Sequence, residues 1–421
     1  MKLTRNSTLL NDLESILKIP LTIITEGTTK AIVPDLKFYE KNGFVDPCWA
    51  PIFYNPAMRE NRDLSVAAVA AFKEYEHFDS ITLCEPLTAT GIRGLRYAVE
   101  ASVDYVILND IDIKAVFVAK ANAALNNVEK KVKIFNLDAN VLLTLCKKFA
   151  RLNVIDIDPY GSPEPFVRSA LTSLTHKGML CLTATDLAPL TGVHKRACVR
   201  RYLAFSRKID CAFELAARIL YYDVVKKASP LNIGIKPLLT FKGRHYIRCF
   251  MQIFKSRKKA DDNLSKLGYL HYCNKCGYRN LVPLHYKEIR CPVCNSEASF
   301  LGPLWIGEIF NENFCKKAYL KLKNFTDDRK LLDKMELIVN ESSINNPYIT
   351  TESLSKTMQL NEISAKILVK SLINKGYKAS LTHFDPKGFR TNAPHLIILE
   401  LIKDLSSSFH NISCLLPERD D

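Results

Sequence analysis

The residues best suited to chemistry form one short run, Asp156-Ile157-Asp158-Pro159-Tyr160-Gly161-Ser162-Pro163. An amino group conjugated to an aromatic ring is a poor nucleophile, because its lone pair is delocalised into the ring. A carboxylate placed at that amine, here Asp158, can favour a tetrahedral nitrogen and accept a proton as positive charge develops. The ring of Tyr160 can stack on a base taken out of its helix. The run therefore predicts transfer of a group to a ring-conjugated amine.

A proline-containing turn that enters a helix is the competing interpretation of the same run, with Asp158 as a cap and Tyr160 as packing. The run, however, follows a predicted strand and has two acids around an apolar residue. It is a variant of the (D/N/S)PP(Y/F) loop of enzymes that methylate ring-conjugated amino groups. We therefore favour a catalytic role. A sulfonium methyl donor carries its own leaving group, so the transfer requires no metal.

Four of the 13 cysteines have the spacing of metal ligands. They form two Cys-x2-Cys pairs that are separated by fourteen residues, namely Cys273, Cys276, Cys291 and Cys294. Two such knuckles arrange four sulfurs tetrahedrally around zinc, and a closed four-cysteine site has no open position for catalysis. The sequence therefore predicts a structural zinc ion.

The elements that position the first run alternate between strand-like and helical segments. We expect strands at 80–85, 105–109, 132–136, 153–157 and 178–183 and helices at 64–75, 92–101, 113–125, 139–149 and 164–174. Such alternation predicts βαβ units and a parallel sheet that is covered on both faces. A helix at 210–226 and a β-hairpin at 235–241 and 245–254 would finish the sheet with an antiparallel pair.

Acidic residues end the first three predicted strands, where ligands of open parallel sheets bind. Glu85 begins the loop 85–94, whose small residues let the backbone approach a cofactor closely. Asp110 is placed to accept from a ribose diol, and Asp138, followed by Ala139, from an adenine amino group. Each acid alone is better explained as a cap or turn residue. In register with the strands, the three predict an α/β, Rossmann-like class I core that binds S-adenosyl-L-methionine.

The composition favours a folded protein with a polyanionic partner. A chain of 421 residues is too long for one ordinary hydrophobic core, so two or three domains are expected. Its 59 Lys and Arg against 44 Asp and Glu give a net charge of +15, which favours a polyanionic partner. Most other cysteines stand singly in apolar stretches, which is typical of a reducing compartment, the cytoplasm or the nucleus. We predict no signal peptide and no membrane span. The oligomeric state cannot be read, and a monomer on the nucleic acid is assumed.

Several stretches, in order along the chain, resemble the tRNA (guanine(26)-N(2))-dimethyltransferase family. These are Glu26-Gly27, Phe53-Tyr54-Asn55-Pro56-Ala57-Met58, Asn61-Arg62-Asp63, Thr90-Gly91-Ile92-Arg93-Gly94, Asp156 to Pro163, Thr183-Ala184-Thr185-Asp186 to Leu190, and His194-Lys195-Arg196-Ala197-Cys198 with Arg200, Tyr202 and Leu203. The resemblance implies one or two methyl transfers to N2 of guanine 26 in tRNA, with a C-terminal domain that helps to grip the RNA.

The resemblance also implies roles for individual residues. The methyl-donor site would be lined by Arg62, Arg93, Asp110, Asp138 and Ala139. Asp158 would be the catalytic acid–base residue, and Phe53 and Tyr160 would hold the flipped guanine. Glu85 stands where the family usually has Asp, and it should still accept hydrogen bonds, with a longer reach. Tyr160 replaces a common Phe and keeps the stacking face.

Three domains are expected. Residues 1–62 contribute to the donor and base sites, 63–260 form the class I methyltransferase core, and 261–421 form an α+β RNA-binding domain with a zinc ribbon. In that domain the knuckles occupy 269–300, and short helices followed by strand-like residues 376–399 are compatible with a winged helix at 325–405. The basic run 255–259 is predicted to be a solvated linker.

Two other functions remain open on the residues alone. An amino-methyltransferase for another RNA or DNA base would share Asp158 and Tyr160, but it should lack the signatures at 53–63 and 186–203. A non-catalytic zinc-containing RNA-binding protein should have lost Asp158 or the arginines of the donor site. Basic residues do not separate these functions: Arg196, Arg200, Arg201 and Arg207, and in the wing Lys387, Arg390 and His395, are explained equally by RNA contact and by ordinary surface roles.

Overall fold

A seven-stranded mixed sheet forms the centre of the protein. The computed structural model describes the backbone of residues 2–413 and the side chains of residues 8–407. The strands of all the described residues, of which β3 to β9 form this sheet, are β1 (Leu21–Glu26), β2 (Thr29–Pro34), β3 (Thr82–Glu85), β4 (Tyr105–Asn109), β5 (Val132–Phe135), β6 (Leu152–Ile157), β7 (Leu174–Ala184), β8 (Ile233–Lys242), β9 (Ile247–Lys255), β10 (Leu267–Tyr272), β11 (Arg279–Pro283), β12 (Ser299–Trp305), β13 (Ile349–Thr350), β14 (Ala379–Leu381) and β15 (Gly388–Thr391).

The helices alternate with the strands of the central sheet and continue beyond it. They are α1 (Lys2–Leu17), α2 (Arg59–Tyr75), α3 (Ile92–Val99), α4 (Ile113–Leu125), α5 (Ala139–Phe149), α6 (Glu164–Ser173), α7 (Leu187–Leu190), α8 (Lys195–Tyr202), α9 (Ala212–Ala228), α10 (Arg257–Leu264), α11 (Glu312–Leu322), α12 (Arg329–Glu341), α13 (Thr351–Met358), α14 (Ala365–Asn374) and α15 (His395–Ser413).

The sheet has the strand order β5-β4-β3-β6-β7-β9-β8. Strands β3 to β7 pair in parallel, and β9 and β8 complete the sheet antiparallel. The order reverses between β3 and β6, so the carboxyl ends of these two strands flank the crevice where ligands of open sheets bind. The α/β class I fold is thereby confirmed, including the antiparallel hairpin at its edge.

Hydrophobic runs explain why the central strands are buried on both faces. Residues 154–157 of β6 and 178–184 of β7 are all buried, as a parallel sheet covered by helices requires. One apolar cluster extends from Leu64 in α2 through the sheet to Phe314 of α11 and Met335 of α12. The C-terminal helices therefore share the core of the sheet domain.

Two smaller sheets lie in the C-terminal part. Strands β11-β10-β12 form an antiparallel sheet that carries the cysteine knuckles. Helices α12 to α14 and the sheet β13-β15-β14 have the element order of a winged helix, with their own apolar cluster around Leu368 and Phe389.

Two local predictions were wrong. The basic run 255–259 is not a linker, because α10 begins at Arg257 and is capped by the Ser256 hydroxyl, which accepts from the Lys259 amide. The strand-like stretch 376–399 ends in helix, since α15 begins at His395. At α10 this local cap outweighs the polar composition. In the part of the chain that the structure describes, no helix combines the length and apolarity needed to cross a bilayer.

Candidate active site

Asp158 lies at the carboxyl end of β6, and its carboxylate contacts the guanidinium of Arg93. The Asp158 side chain is 18% exposed, whereas that of Arg93 is 4% exposed. Arg93 comes from the first turn of α3, which follows the loop after β3. The two strands that flank the crevice thus bring the predicted acid–base residue and a predicted donor-site arginine together.

A second acid of the same run supports this contact from below. Both carboxylate oxygens of Asp156 accept from Arg248 of β9, at 2.6 and 2.7 Å, and one also accepts from the Tyr97 hydroxyl at 2.5 Å. Although burial opposes ionisation, Arg248 and Arg93 lower the pKa of Asp156. Asp156 therefore stays charged and anchors two guanidinium groups under the crevice.

Glu85 lies beneath the loop that follows β3 and is 2% exposed. Its carboxylate accepts from the Thr88 hydroxyl at 2.7 Å and the Gly94 amide at 2.9 Å, and it lies 3.3 Å from Arg93 Nε. Burial raises the pKa of Glu85 to about 8, against the attraction of Arg93. Glu85 thus shapes the loop, and its direct contact with a donor stays a prediction.

Asp110 and Asp138 occupy the same edge of the sheet as Glu85. Asp110 is half-buried, and its two oxygens accept from the amides of Ala89 and Asp112 at 2.8 and 3.0 Å. Burial raises the pKa of Asp110. Asp138 is exposed and caps α5, where Oδ1 accepts from the amides of Asn140 and Val141, and Ala139 follows it as a buried residue. Both carboxylates keep lone pairs for a ligand.

Arg62 is buried and faces the N-terminal hairpin. It donates to both oxygens of Glu26, at 2.7 and 2.5 Å, and to the carbonyl of Asn55 at 3.1 Å. Although burial opposes ionisation, Arg62 lowers the pKa of Glu26, with help from Tyr54 and Arg96. Arg62 therefore ties the segment before α2 to the hairpin β1–β2, and a contact with the donor stays a prediction.

Phe53 and Tyr160 face each other on the surface of the crevice. Their ring centroids are 6.1 Å apart with an interplanar angle of 65°, and the two residues are 39% and 83% exposed. Aromatic rings that are exposed and adjacent offer faces on which a flat heterocycle can stack. The structure brings together these two residues, which are 107 positions apart, beside Asp158.

The loop after Asp158 is fastened to the end of β7 and to α8. Gly161 and Thr185 exchange hydrogen bonds at 2.8 and 3.0 Å. The Ser162 hydroxyl lies 2.6 Å from the Tyr202 hydroxyl, which in turn lies 2.9 Å from Asp186. Burial raises the pKa of Asp186, against hydrogen bonds from Tyr202 and Arg201.

Sequence reasoning missed several residues that support the site. Arg248 and Tyr97 were not predicted, because they reach Asp156 from distant elements and carry no local spacing signal. Asn61 was quoted within a motif without a role, yet its Oδ1 accepts from Arg93 at 2.6 Å. The two acids of the run 156–158 were the available signal that a buried cation had to be near.

The four cysteines form one cluster. Their Sγ atoms all lie within 4.8 Å of one another, with 3.5 Å between Cys273 and Cys294 and between Cys276 and Cys291. Zinc with four thiolates at ~2.3 Å would have sulfurs about 3.8 Å apart, so the donor set fits zinc. Gly277 and Asn295, with φ of +75° and +56°, close the two knuckles.

Of the three wing residues for which the sequence left RNA contact open, two are buried. Arg390 has no exposed surface and is paired with Glu341 and Glu214, so it cannot contact RNA. His395 is 8% exposed and donates to the carbonyl of Cys276. Lys387 is held between Glu352 and Glu362.

Comparison with known proteins gives consistent similarities. Residues 27–403 match the family model described as N2,N2-dimethylguanosine tRNA methyltransferase. The chain is 36% identical over 387 residues to the tRNA (guanine(26)-N(2))-dimethyltransferase of Saccharolobus solfataricus, covering 91% of this chain and 98% of that protein. It is 34% identical over 393 residues to the enzyme of the same name from Metallosphaera sedula, with 92% and 98% covered.

A solved structure is similar over nearly the same range. It is the complex of Trm1 from Pyrococcus horikoshii with S-adenosyl-L-methionine, which has a TM-score of 0.79 and 30% identity to this chain. The similarity covers 90% of this chain and 99% of that one.

Proposed function

Because this chain belongs to the N2,N2-dimethylguanosine tRNA methyltransferase family, we propose that it methylates N2 of guanine 26 in tRNA with S-adenosyl-L-methionine. Two successive transfers would give N2,N2-dimethylguanosine, and the second transfer requires the methylated amine to turn back towards the donor.

 The observation that carries the proposal is the placement of Asp158, Phe53 and Tyr160 around one crevice at the carboxyl ends of β3 and β6.

The residues at the crevice fit the methyl donor. Asn61 is fully buried, and its Nδ2 has no hydrogen-bond partner among the described residues, although its Oδ1 is bound by Arg93. An orphaned donor beside a guanidinium suits a carboxylate, such as that of a bound methionine moiety. Along the edge, Asp110 would accept from the ribose hydroxyls, and Asp138 with Ala139 would meet the adenine. When bound, S-adenosyl-L-methionine supplies an electrophilic methyl group and a neutral thioether leaving group.

The residues of this chain would prepare the base for attack. Phe53 and Tyr160 would hold the extruded guanine between their exposed rings, which offsets part of the cost of unstacking it. Asp158 would accept a hydrogen bond from the N2 amino group and take its proton as the carbon–nitrogen bond forms. Arg93 would orient the Asp158 carboxylate, and Asp156 would hold Arg93 in place through its buried charge.

The C-terminal part would bind the rest of the tRNA. We propose that residues 1–62 complete the donor and base sites, that 63–260 form the catalytic core, and that 261–421 grip the RNA, with zinc holding the knuckles of 269–300. The enzyme would act as a monomer on tRNA in the cytoplasm.

Methyl transfer to an unmodified tRNA transcript, followed by nucleoside mass spectrometry, tests the function. We expect N2-methylguanosine and N2,N2-dimethylguanosine from the transcript with guanine at position 26, and neither from a matched transcript with adenine at that position. Equal product from both transcripts would contradict the assignment of position 26. Donor binding without any product on tRNA would contradict the substrate.

A further inference from the structure

Helix α8 carries a cluster of exposed cations on eight residues. Lys195, Arg196, Arg200 and Arg201 all lie on it, and each is exposed. Arg196 and Arg200 are four residues apart, so they share one face of the helix, ~6 Å apart along its axis. Among the described residues, neither has a carboxylate within ion-pair distance, whereas Arg201 lies 2.9 Å from Asp186. The face of Arg196 and Arg200 is therefore an unneutralised positive surface.

The last residue of α8 is bound directly to the catalytic loop. The Tyr202 hydroxyl lies 2.6 Å from the hydroxyl of Ser162, four residues after Asp158. Arg200 is only two residues before Tyr202, or ~3 Å along the helix axis. Two residues turn the helix by about 200°, so Tyr202 binds the loop that carries Asp158 and Tyr160 from one side of α8, while Arg196 and Arg200 lie on the other, exposed side.

The other arginines of the crevice are not available to an RNA backbone. Arg62, Arg93, Arg96 and Arg248 are all at most 5% exposed. Each is paired with carboxylates of the protein: Arg62 with Glu26, Arg93 with Asp158, Arg96 with Asp63, and Arg248 with Asp156. A nucleotide whose base enters the crevice must leave its phosphates outside, where exposed cations are needed.

We propose that Arg196 and Arg200 of α8 bind the tRNA phosphates next to the extruded guanosine. This inference rests on the proposed function and adds an RNA-binding element within the catalytic core. Because Tyr202 joins α8 to Ser162, phosphate binding by α8 also fixes the position of the tRNA backbone relative to the loop that holds the base. The exposed ring of Phe205, 63% exposed just beyond the helix, extends the surface with an aromatic face.

The test is steady-state methylation of tRNA by the double variant Arg196→Ala/Arg200→Ala. We expect the KM for tRNA to rise about tenfold or more, since two charge-assisted contacts are lost. The slope of log KM against log salt should fall by about 1.4, for two phosphate contacts on a single strand. The Kd for S-adenosyl-L-methionine should remain within twofold, because α8 carries none of the donor residues.

A matched control removes the same charge elsewhere, in Arg257→Ala/Lys258→Ala. Both residues are exposed on α10, which follows β9 at the edge of the sheet opposite the crevice, because Lys255 pairs with Ile233 whereas Ile247 pairs with Ala184. We expect the control to keep the KM and the salt slope of the natural enzyme. An α8 variant that matches the control in both quantities would overturn the inference. Failure of the natural enzyme to methylate tRNA would instead overturn the proposed function.

Discussion

At the scale of single residues, Asp158 combines two properties that its neighbours do not share. Glu85 and Asp156 are only 2% and 0% exposed, and their carboxylates accept hydrogen bonds from other residues of the protein. Asp158 keeps 18% of its side chain exposed while contacting a buried guanidinium. A carboxylate that is oriented from one side and open on the other can meet a substrate amine.

Replacing Asp158 by asparagine keeps its size and removes its capacity to take a proton. We expect Asp158→Asn to lower kcat by about 10²–10⁴-fold, which is the range of a general acid–base contribution, with donor affinity largely kept. Single-turnover methylation and titration of the donor measure the two quantities separately. The control Glu164→Gln changes a carboxylate six positions later that pairs with Lys227 and should keep kcat. Near-normal turnover by Asp158→Asn would remove Asp158 from the catalytic role.

Tyr160 is a second residue whose role can be isolated, because its 83% exposure means that little packing is lost on substitution. Tyr160→Ala should weaken tRNA methylation by ~5–150-fold, the equivalent of ~1–3 kcal/mol of base stacking. Tyr160→Phe keeps the ring and should retain most of the activity. The comparison of kcat/KM for the two variants is the measurement. Equal losses in both would assign the effect to the hydroxyl rather than to stacking.

The sequence predicted the exposed residues of this site better than the buried ones. Asp158, Tyr160 and Phe53 stand in recognisable runs, and the structure places them together. Arg248 has no such signal, since its pairing with Asp156 depends on how β9 enters the sheet. Arg390 was considered for RNA contact because exposure cannot be read from a lone arginine in a strand-like stretch.

At the scale of elements, the loop 158–163 is held from the side by the end of β7 and by α8. Tyr202 of α8 reaches both Ser162 and Asp186 with one hydroxyl, at 2.6 and 2.9 Å. Tyr202→Phe removes these hydrogen bonds and keeps the buried ring. We expect the free energy of unfolding to fall by about 1 kcal/mol and kcat to fall about tenfold, because the loop loses its register. Denaturant unfolding and single-turnover rates check both, and an unchanged kcat would show that Thr185 alone fixes the loop.

Element predictions succeeded where periodicity is supported by burial and failed where a cap decides. Helices α4 and α5 and strand β4 have the predicted bounds, because their apolar residues face a sheet. Helix α10 was missed, since its residues are mostly charged and its start depends on the Ser256 cap. The hairpin β1–β2 shows no strong alternation of apolar and polar residues, so the sequence did not predict it. It is attached to α4 by Asn122, whose side chain hydrogen-bonds the backbone amide and carbonyl of Ile32.

At the scale of the whole molecule, a buried ionic network joins the C-terminal part to the sheet domain. Arg390 of β15 pairs with Glu341 of α12 and with Glu214 of α9. Glu341 also accepts from His383 at 2.6 Å. The ends of this network are 176 residues apart in the chain, so it fixes long-range geometry that local sequence patterns do not record.

Glu341→Gln breaks this network at its centre. We expect a loss of ~3–5 kcal/mol at pH 7, because the buried Arg390 loses one of its two carboxylate partners and keeps Glu214 alone to balance its charge. Burial opposes ionisation, but Arg390 and His383 lower the pKa of Glu341 from 4.5 to about 2. A carboxyl with a lowered pKa stabilises fully above its ordinary pKa and loses this contribution as the pH falls towards 2. Denaturant unfolding should therefore show that the difference in free energy of unfolding between the natural protein and Glu341→Gln becomes smaller as the pH falls below 4.5. The exposed pair of Glu352 provides the control, since Glu352→Gln should cost under about 1 kcal/mol.

The cysteine knuckles connect the small sheet β11-β10-β12, the ribbon, to the rest of the protein. The carbonyl of Cys276 accepts from His395 at the start of α15, and Arg279 of β11 bonds the carbonyl of Tyr348 and lies 2.8 Å from Asp210. Loss of the metal should release these contacts, because thiolate binding supplies much of the folding free energy of such small sites.

Cys276→Ser should therefore abolish bound zinc, lower the Tm and raise the KM for tRNA. Donor affinity should stay near normal, since Arg93, Asp110 and Asp138 lie on the sheet domain and do not contact the ribbon. Metal analysis by mass spectrometry, thermal unfolding and donor titration measure the three effects. Cys48→Ser, at an exposed cysteine outside the cluster, should keep the zinc content of the natural protein. If Cys276→Ser lost zinc yet kept its KM for tRNA, the ribbon would stabilise the fold without helping to hold the RNA.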